Sequence, residues 1–324
     1  MKLFVYSPVD SAVHRMHMDA LCSYASDQGI VATSTAGRPS VAAFSAVRGT
    51  KTVVWSTGLW NLLAVPLLRL LGSEVLYYLH EPSTFKTKVE RGNGIVKSAL
   101  WQVVQRFDVR LATTVLVSRQ ELADRATSVY GVDLDKIELA PLILPPPLPS
   151  APASGTDRSR ITYLGRIDER RYLQEFLAQA AGFAAQGLRP TILTSHVHAL
   201  TELDIDPVVD VIATPNFTEE QKAAVLNETA LVWNPKSYAI AQSGVTVDAL
   251  RYGCQIVLTE GDPECRALSD AGIAVELDDS LVLDLSEVQH TAHVCGVAKG
   301  LFEERFGSQA FTTHYLPLVS EIAA

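Results

Sequence analysis

With 324 residues, 48% hydrophobic and 19% charged, the chain has the composition of a globular protein and the length for two domains of ordinary size, which excludes a disordered chain and a single small module. The net charge of −9 argues against a general nucleic-acid binder. Residues 1–150 carry 15 Lys/Arg and 12 Asp/Glu, a net +3, whereas residues 151–324 carry 12 and 24, a net −12. The two halves therefore face different surroundings.

The cysteines and the apolar segments predict a cytoplasmic protein. Cys22, Cys254, Cys265 and Cys295 are scattered without a CxxC pair, as expected of buried thiols in a reducing compartment. No stretch reaches the about 18 uninterrupted apolar residues of a membrane span. The longest apolar stretch, residues 59–72, is interrupted by Asn61, Pro66 and Arg69, and we expect a core-packed helix there, with peripheral membrane contact as the alternative.

The first half alternates short apolar runs with longer periodic segments. Strands are predicted at residues 3–7, 52–56, 75–80 and 113–118, and helices at 14–29 and 118–131. For the last helix, Ser118 is the expected N-cap, Glu121 completes a capping box, and Gly131 ends the helix. Strand and helix in alternation predict a parallel sheet covered on both faces, so this half is Rossmann-like.

A proline-rich stretch at residues 141–155 predicts an extended, moderately stiff linker. After it the alternation resumes, with strands predicted at 160–165, 190–195, 208–214, 230–235 and 255–260, and helices at 172–187, 218–229 and 243–253. We therefore predict an α/β protein with two Rossmann-like αβα domains facing across a cleft. The predicted domains span residues 1–145 and 146–309, and the terminal segment 310–324 is expected to pack on the first domain.

A concentration of charges follows the first strand of the second half. Gly165, Arg166 and Arg171 lie between that strand and the next helix, and ligands of parallel sheets bind at the carboxyl ends of strands. Arginines near a helix start oppose the helix dipole unless an anion compensates them, so two of them suggest a bound anion. The alternative is a solvated turn in which the neighbouring residues 168–170 pair with these arginines.

A second anion site is predicted at the start of the helix that follows residues 230–235. Gln242, Ser243 and Gly244 precede this helix, whose period places Val245 toward the core. The exposed backbone N–H groups at the helix start, beside a loop of small residues, bind anions without a charged side chain. Asp248, one turn later, is able to accept hydrogen bonds from two vicinal hydroxyls, as on a ribose. Its alternative role is compensation of the helix dipole.

These segments resemble the retaining GT-B glycosyltransferases of the "glycosyl transferases group 1" kind. ITYLGRIDERR resembles the strand and GR-x4-K motif of that family, with Arg171 where lysine is usual. Residues 231–264 resemble the family's stretch with two glutamates, of which the second matches Asp248 and the first falls on Ile240. Residues 113–141 resemble the last helix of the acceptor-side domain. The resemblance covers most of the chain by order of elements and is residue by residue between about 160 and 265.

The resemblance implies transfer of a sugar, with retention of anomeric configuration, from a nucleotide diphosphate sugar to a glycan, lipid-linked or other glycoconjugate acceptor. Arg166 and Arg171 would act on the departing diphosphate, and no metal or cofactor is expected. The base would rest near Asn216. Glu264 would border the sugar or ribose. Because Ile240 replaces the family's first glutamate, the identity of the sugar stays open.

The first half differs from the family at its phosphate-binding turn. The family's Gly-rich turn is replaced by SPVDSAVHR (7–15), where Ser11 or His14 would substitute. His80, in HEPSTFK (80–86), resembles the family's strand-end histidine near the sugar, with a structural histidine as the alternative.

Residues 86–107 mix basic residues with an amphipathic helix pattern, which fits an anionic lipid surface or a lipid-diphosphate acceptor, or else a solvated loop. The expected partners are therefore a nucleotide sugar and a glycan or lipid-linked acceptor, with peripheral membrane contact through the first domain at the inner face of the membrane. Two other functions stay open: a non-catalytic glycosyltransferase-like partner subunit, prompted by Ile240 and the replaced turn, and a nucleotide-sugar epimerase.

Overall fold

A computed structural model describes most of the chain. The described residues are 2–40, 44, 47–80, 94–148, 158–167, 172–201, 203–215, 217–235, 243–259, 265–278, 280–288 and 292–320. They divide into two compact units, the first formed by residues up to Pro145 together with the segment from Glu304 onward, and the second by the residues between them. Each unit contains one six-stranded sheet in which every pair of neighbouring strands is parallel.

The first unit has strand order β2-β1-β3-β4-β5-β6. Its strands are β1 (Lys2–Ser7), β2 (Val31–Ala36), β3 (Lys51–Trp55), β4 (Glu74–Tyr78), β5 (Thr114–Val117) and β6 (Ile137–Leu139), and its helices are α1 (Ala12–Asp27), α2 (Asn61–Leu70), α3 (Ile95–Leu111), α4 (Gln120–Tyr130) and a 3-10 turn at Leu134–Lys136. Alternate strand residues serve two cores. Leu3, Val5 and Trp55 pack on one face against α1, and Phe4, Tyr6 and Val54 pack on the other against α2, α3 and α4.

The second unit has strand order β12-β11-β10-β7-β8-β9, the order of a Rossmann sheet. Its strands are β7 (Arg160–Leu164), β8 (Arg189–Thr194), β9 (Asp210–Ala213), β10 (Thr229–Trp233), β11 (Gln255–Thr259) and β12 (Ala274–Leu277). Its helices are α5 (Leu173–Ala185), α6 (Val197–Leu200), α7 (Glu219–Leu226), α8 (Gly244–Tyr252), α9 (Cys265–Asp270), a 3-10 turn at Leu285–Glu287, and α10 (Ala292–Arg305), which extends past the boundary at Glu304.

The chain ends with α11 (Ser308–Ala310), a π-helical turn (Phe311–Tyr315) and α12 (Leu316–Ser320). Phe311, Tyr315 and Val319 are buried in the core of the first unit, and the Tyr315 hydroxyl donates to the carbonyl of Pro141 at 2.8 Å. This segment therefore supplies apolar side chains to the face of the first sheet that α1 also covers.

The predicted fold class, two Rossmann-like αβα domains, is confirmed, but several local features differ from the prediction. Strands β2, β6 and β12 were not predicted. Helix α4 begins at Gln120 with Arg119 at the N-cap position, and no side chain caps it, so the predicted Ser118 cap is wrong. Gly131 does end this helix, with a left-handed φ of 66° that favours glycine.

The predicted core-packed helix in residues 59–72 is only half buried. Helix α2 buries Asn61, Ala64, Val65 and Leu68, but Leu63 is 62% exposed and Leu70 is 84% exposed on its other side. Among the described residues, no helix combines the length and the apolar character needed to cross a membrane.

A buried acid lies beneath the contact between α2 and α3. Asp108 has no solvent exposure, and Asn61 donates to it over 2.7 Å while also donating to the carbonyl of Ser56 at 3.1 Å. Burial raises the pKa of Asp108 to about 8, although hydrogen bonds from Asn61 and Tyr77 act against that rise. The carboxyl group is therefore protonated at neutral pH.

Asp108 predicts a loss of stability as the pH rises. The unfolded chain releases this proton near pH 4 and the folded chain near pH 8, so the contribution of Asp108 is fully present below about pH 4 and is lost as the pH rises through about 8. We therefore expect the wild type to lose stability relative to Asp108→Asn as the pH rises. The difference in their free energies of unfolding, measured by urea denaturation, should change by about 1 kcal/mol per pH unit between about pH 5 and 8. A constant difference over that range would show that the acid is charged in the folded state.

Candidate functional site

The direction of the strands selects the edge of each sheet where ligands bind. Parallel sheets bind ligands at the carboxyl ends of their strands, where the strand order reverses. In the second unit that reversal lies between β7 and β10, which are neighbours with Tyr163 opposite Trp233. The next residues of these two strands lead to Arg166 and to Asn234. The predicted residues Gly165 and Arg166 therefore lie at the edge that the topology selects.

The turn after β7 holds Arg166 by its backbone and by one side-chain bond. Gly165 has a φ of 101°, which favours glycine, and its N–H donates to the carbonyl of Leu193 at 2.9 Å. The exposed Arg166 donates from Nε to Nε2 of His196 at 3.1 Å. This bond requires the neutral His196 tautomer with its proton on Nδ1. In the described part of the chain neither Nη group of Arg166 has a partner, so both can donate to an anion.

Asn234 connects the end of β10 to the start of α8. Its Nδ2 donates to the Ser243 hydroxyl at 3.2 Å and lies 3.4 Å from the Thr246 hydroxyl. Ser243 also accepts from the backbone N–H of Thr246 at 3.3 Å, which makes it the N-cap of the helix. Asn234 is 1% exposed, and its Oδ1 has no partner within the described residues. This buried amide was not predicted as a site residue, although it lies within the strand predicted at residues 230–235 and directly follows the observed strand β10.

The backbone N–H groups of Gly244 and Val245, in the first turn of α8, have no partner among the described residues. Gly244 is exposed, and a Cβ built on it would meet no atom within 4 Å. Val245 is 7% exposed and faces the core, as predicted, so only its backbone can serve a ligand. Helix termini leave their first N–H groups without intrahelical partners, and these groups bind anions. The predicted residues Ser243, Gly244 and Val245 thus form an open helix start beside the strand that bears Arg166.

Asp248 lies in a network of charges between α7 and α8. Its carboxylate is 3.1 Å from Nζ of Lys222, which also contacts Glu219 at 2.6 Å. Arg251 contacts Glu219 at 2.7 Å and lies 4.0 Å from Asp248. Burial alone would lower the pKa of Lys222, but Asp248 and Glu219 raise it, so the ammonium group stays charged. Asp248 therefore already has a partner, which neither of the two roles predicted for it includes.

The first unit brings three histidines to the carboxyl edge of β1, β3 and β4. The strand order of this sheet reverses between β1 and β3. Ser11, predicted to bind the donor, is the N-cap of α1 and accepts from the backbone N–H of His14 at 3.3 Å. His17 stacks on Trp55 at 5.1 Å, and His14 lies parallel to His80 at 6.4 Å. His17 was not predicted, because its nearest partners come from distant strands.

Hydrogen bonds fix the tautomers of two of these histidines. Ser7 donates its hydroxyl hydrogen to the carbonyl of Val9 at 2.8 Å, so Nδ1 of His14, 2.8 Å from the same hydroxyl, is the donor. Nδ1 of His17 likewise donates to the carbonyl of Ile143 at 2.7 Å. The neutral His14 ring therefore presents a lone pair at Nε2. Burial lowers the pKa of His14, which keeps that lone pair available near neutral pH.

His80 lies against aromatic rings at this edge. Its ring is 4.6 Å from Tyr78 and 5.2 Å from Trp55, and Nε2 is buried without a partner among the described residues. Burial, followed by the proximity of His17 and His14, lowers the pKa of His80 to about 3. His80 is therefore neutral under ordinary conditions and can act through hydrogen bonds but not as a cation.

Several predicted site residues lie outside the described residues: Arg171, Asn216, Gln242 and Glu264, as does Ile240. The other predicted site residues divide between the two units. Gly165, Arg166, Ser243, Gly244, Val245 and Asp248 belong to the second unit, and Ser11 and His80 to the first. No set of three or more His, Cys, Asp or Glu side chains in the described ranges has the geometry to hold a metal ion.

Comparisons with known proteins identify the fold. No family model and no curated protein sequence matches the chain. HepE of Anabaena, solved in complex with UDP-glucose, is similar with a TM-score of 0.65 at 11% identity over 99% of this chain and 100% of the other. Sucrose-phosphate synthase of Thermosynechococcus elongatus is similar with a TM-score of 0.68 at 11% identity over 98% of both chains. A putative UDP-N-acetylglucosamine 2-epimerase of Listeria monocytogenes has a TM-score of 0.61 at 10% identity, over 96% of this chain and 94% of the other.

The charge network predicts a structural cost for Asp248→Asn. Removing the carboxylate leaves buried Lys222 with one acidic partner in place of two, so we expect a loss of about 2 kcal/mol in the free energy of unfolding by urea denaturation. The matched change Asp270→Asn, at an exposed position of the same unit, should cost less than about 0.5 kcal/mol. Equal losses in the two variants would contradict a structural role for the Asp248 ion pair.

Proposed function

We propose that the chain, whose solved neighbours include proteins of the GT-B glycosyltransferase fold, transfers a sugar from a nucleotide diphosphate sugar. One observation carries the proposal: an exposed guanidinium and an open helix start follow two neighbouring strands at the point where the strand order reverses. Two groups of this kind suit linked phosphates. The neighbour HepE, solved with UDP-glucose, supports a donor of this class.

The donor is assigned to the second unit. Arg166 and the N–H groups of Gly244 and Val245 would hold the diphosphate, and Gly165 lets the backbone approach it. The resemblance adds Arg171 to the phosphates, Gln242 to the helix start, Asn216 to the base and Glu264 to the sugar. Asp248 would reach the ribose as an additional acceptor while it keeps its pairing with Lys222.

In the proposed reaction the bond between the anomeric carbon and the diphosphate oxygen breaks, and the acceptor oxygen bonds to that carbon with retention. The acceptor's proton passes to the leaving diphosphate. Negative charge grows on the diphosphate as the bond breaks, and preoriented donors such as Arg166 stabilise that charge without reorganising. The proposal requires no metal and no cofactor.

The acceptor is assigned to the first unit. His14 has a lone pair at Nε2 because its Nδ1–H is bound to Ser7, so it can accept a hydrogen bond from an acceptor hydroxyl. His80 is neutral and half-buried beside it, which suits contact with an uncharged sugar or glycan. We assign both residues to positioning the acceptor, and the proposed acceptor is a glycan, a lipid-linked sugar or another glycoconjugate.

A nucleotide-sugar epimerase is the second candidate, and the similarity to the Listeria protein favours it. It would use the same diphosphate site. The two functions differ in the fate of the sugar, because an epimerase produces an isomeric nucleotide sugar without an acceptor. Chromatography of the nucleotide sugar after incubation with the protein alone distinguishes them.

The diphosphate assignment predicts that Arg166→Ala weakens binding of the corresponding nucleoside diphosphate by at least about tenfold, or about 1.4 kcal/mol, because a charge-assisted bond is lost. Isothermal titration calorimetry measures this affinity. Arg189→Ala is the matched control, because Arg189 begins β8 and thus lies at the opposite edge of the same sheet, where it pairs with Glu228. The affinity of the Arg189→Ala variant for the nucleoside diphosphate should be unchanged.

His14→Ala serves as the complementary control. It should leave that affinity unchanged and lower the turnover of the donor, followed as release of nucleoside diphosphate. Unchanged affinity in Arg166→Ala would remove the diphosphate assignment. Unchanged turnover in His14→Ala would remove the histidine from the reaction.

A further inference from the structure

Helices α2 and α3 expose an apolar surface on the first unit, which we call the α2–α3 face. On α2 and the turn before it, Leu59, Leu63 and Leu70 form one stripe, opposite the buried Ala64, Val65 and Leu68. On α3 the exposed apolar residues recur with helical spacing at Val96, Leu100 and Val103. Val96 is 81% exposed and Leu70 is 84% exposed, which is unusual for aliphatic side chains at so many neighbouring positions.

The packing of the inner sides of α2 and α3 on the sheet determines which of their residues are exposed. Val104 and Val109 of α3 are buried, and α2 and α3 cover the same face of the sheet. The hydrogen bond from Asn61 to Asp108 joins the inner sides of the two helices. The outer sides of both helices therefore point away from the core.

The charges of the α2–α3 face have one sign. Lys97, Arg106 and Arg110 are exposed on α3, and Arg69 is exposed on α2. Within the two ranges 59–72 and 94–111, the sequence contains a single acidic residue, Asp108, which is buried and protonated at neutral pH. The whole chain carries a net charge of −9, so a cluster of cations without an exposed acid is a local departure.

We propose that the α2–α3 face docks on the surface of an anionic lipid membrane. Amphipathic helices that combine exposed leucines with Lys and Arg lie in the interface of a bilayer, with their apolar side among the acyl chains and their cations at the headgroups. The Trp60 ring, with the Arg38 guanidinium 5.5 Å from its centre, adds an aromatic group suited to the headgroup level. A second copy of the chain fits less well, because self-association would bring like charges together.

The docking inference is independent of the proposed sugar transfer, because vesicle binding is measured without a donor or an acceptor. The full-length chain is sedimented with vesicles of phosphatidylcholine and with vesicles of phosphatidylcholine and phosphatidylglycerol in equal parts. We expect binding to the anionic vesicles, with a partition coefficient that falls as salt is added. Binding to phosphatidylcholine alone should be weaker by about tenfold or more.

Two variants separate the apolar and the electrostatic contributions. Leu63→Ser with Val96→Ser, and separately Lys97→Gln with Arg106→Gln, should each lower partitioning into anionic vesicles by about tenfold or more. The matched control is Val282→Ser with Arg266→Gln, which changes exposed residues of the second unit and should bind as the wild type does. All substituted side chains are exposed, so circular dichroism should report an unchanged fold.

Three results would overturn the inference: no sedimentation of the wild type with anionic vesicles, equal losses in the control variant, or wild-type binding by both α2–α3 variants. Analytical ultracentrifugation gives a further check. Concentration-dependent dimers that the Leu63→Ser/Val96→Ser variant abolishes, without vesicle binding by the wild type, would identify the face as an interface between copies of the chain.

Discussion

The common direction of the strands is the constraint on which the rest of the structure depends. Every strand pair in both sheets is parallel, so each strand must return through a crossover, and all turns that follow the strands lie at one edge of each sheet. Side chains that are distant in sequence meet there. Arg166 after β7 and Asn234 after β10 are brought to one edge of the second sheet, and Ser7 and His80 to one edge of the first. Strand order then selects the reversal point as the place for a ligand.

Whether each polar group near these edges is charged or neutral depends on its burial and on its partners. Asp108 is buried and His80 is half-buried, each with few donors or acceptors around it, so each favours its neutral form. Lys222 is also buried, but two carboxylates keep it charged. Arg166 differs from all of these because it is exposed and, among the described residues, only its Nε has a partner, at His196. An anionic ligand requires a positive charge that is fixed in position but not paired with a carboxylate. Within the described ranges Arg166 meets this requirement, whereas the ammonium group of Lys222 is already paired.

The α2–α3 face illustrates a different consequence of packing. In a Rossmann-like unit, only the inner side of each covering helix packs on the sheet. In α2 this side is formed by Ala64, Val65 and Leu68. The leucines on its outer side contribute nothing to this core. Their presence, together with cations and without exposed acids, therefore calls for an explanation outside the fold, and an anionic membrane surface supplies one.

Sequence periodicity was enough to predict the central strands, because each is a continuous apolar run, and the helices between them. Periodicity did not predict the edge strands β2 and β12 or the short strand β6. Their residues are half-exposed, and apolar and polar side chains alternate only weakly along them. The start of α8 was predictable because Ser243 and Gly244 precede a periodic run. The ion pair of Asp248 with Lys222 was not predictable, because Lys222 lies on another helix, 26 positions away in the sequence. The tautomers of His14 and His17 also depend on such remote contacts, with Ser7 and the carbonyl of Ile143.

The central claim is that the carboxyl edge of the second sheet binds linked phosphates. Thermal unfolding in the presence of a panel of nucleoside diphosphates, each beside its parent nucleoside, tests it most directly. The account predicts that one diphosphate, at about 100 times its dissociation constant, raises the melting temperature by about 5–10 °C, and that its nucleoside alone does not. An equal rise with the nucleoside, or no rise with any diphosphate, would contradict the claim.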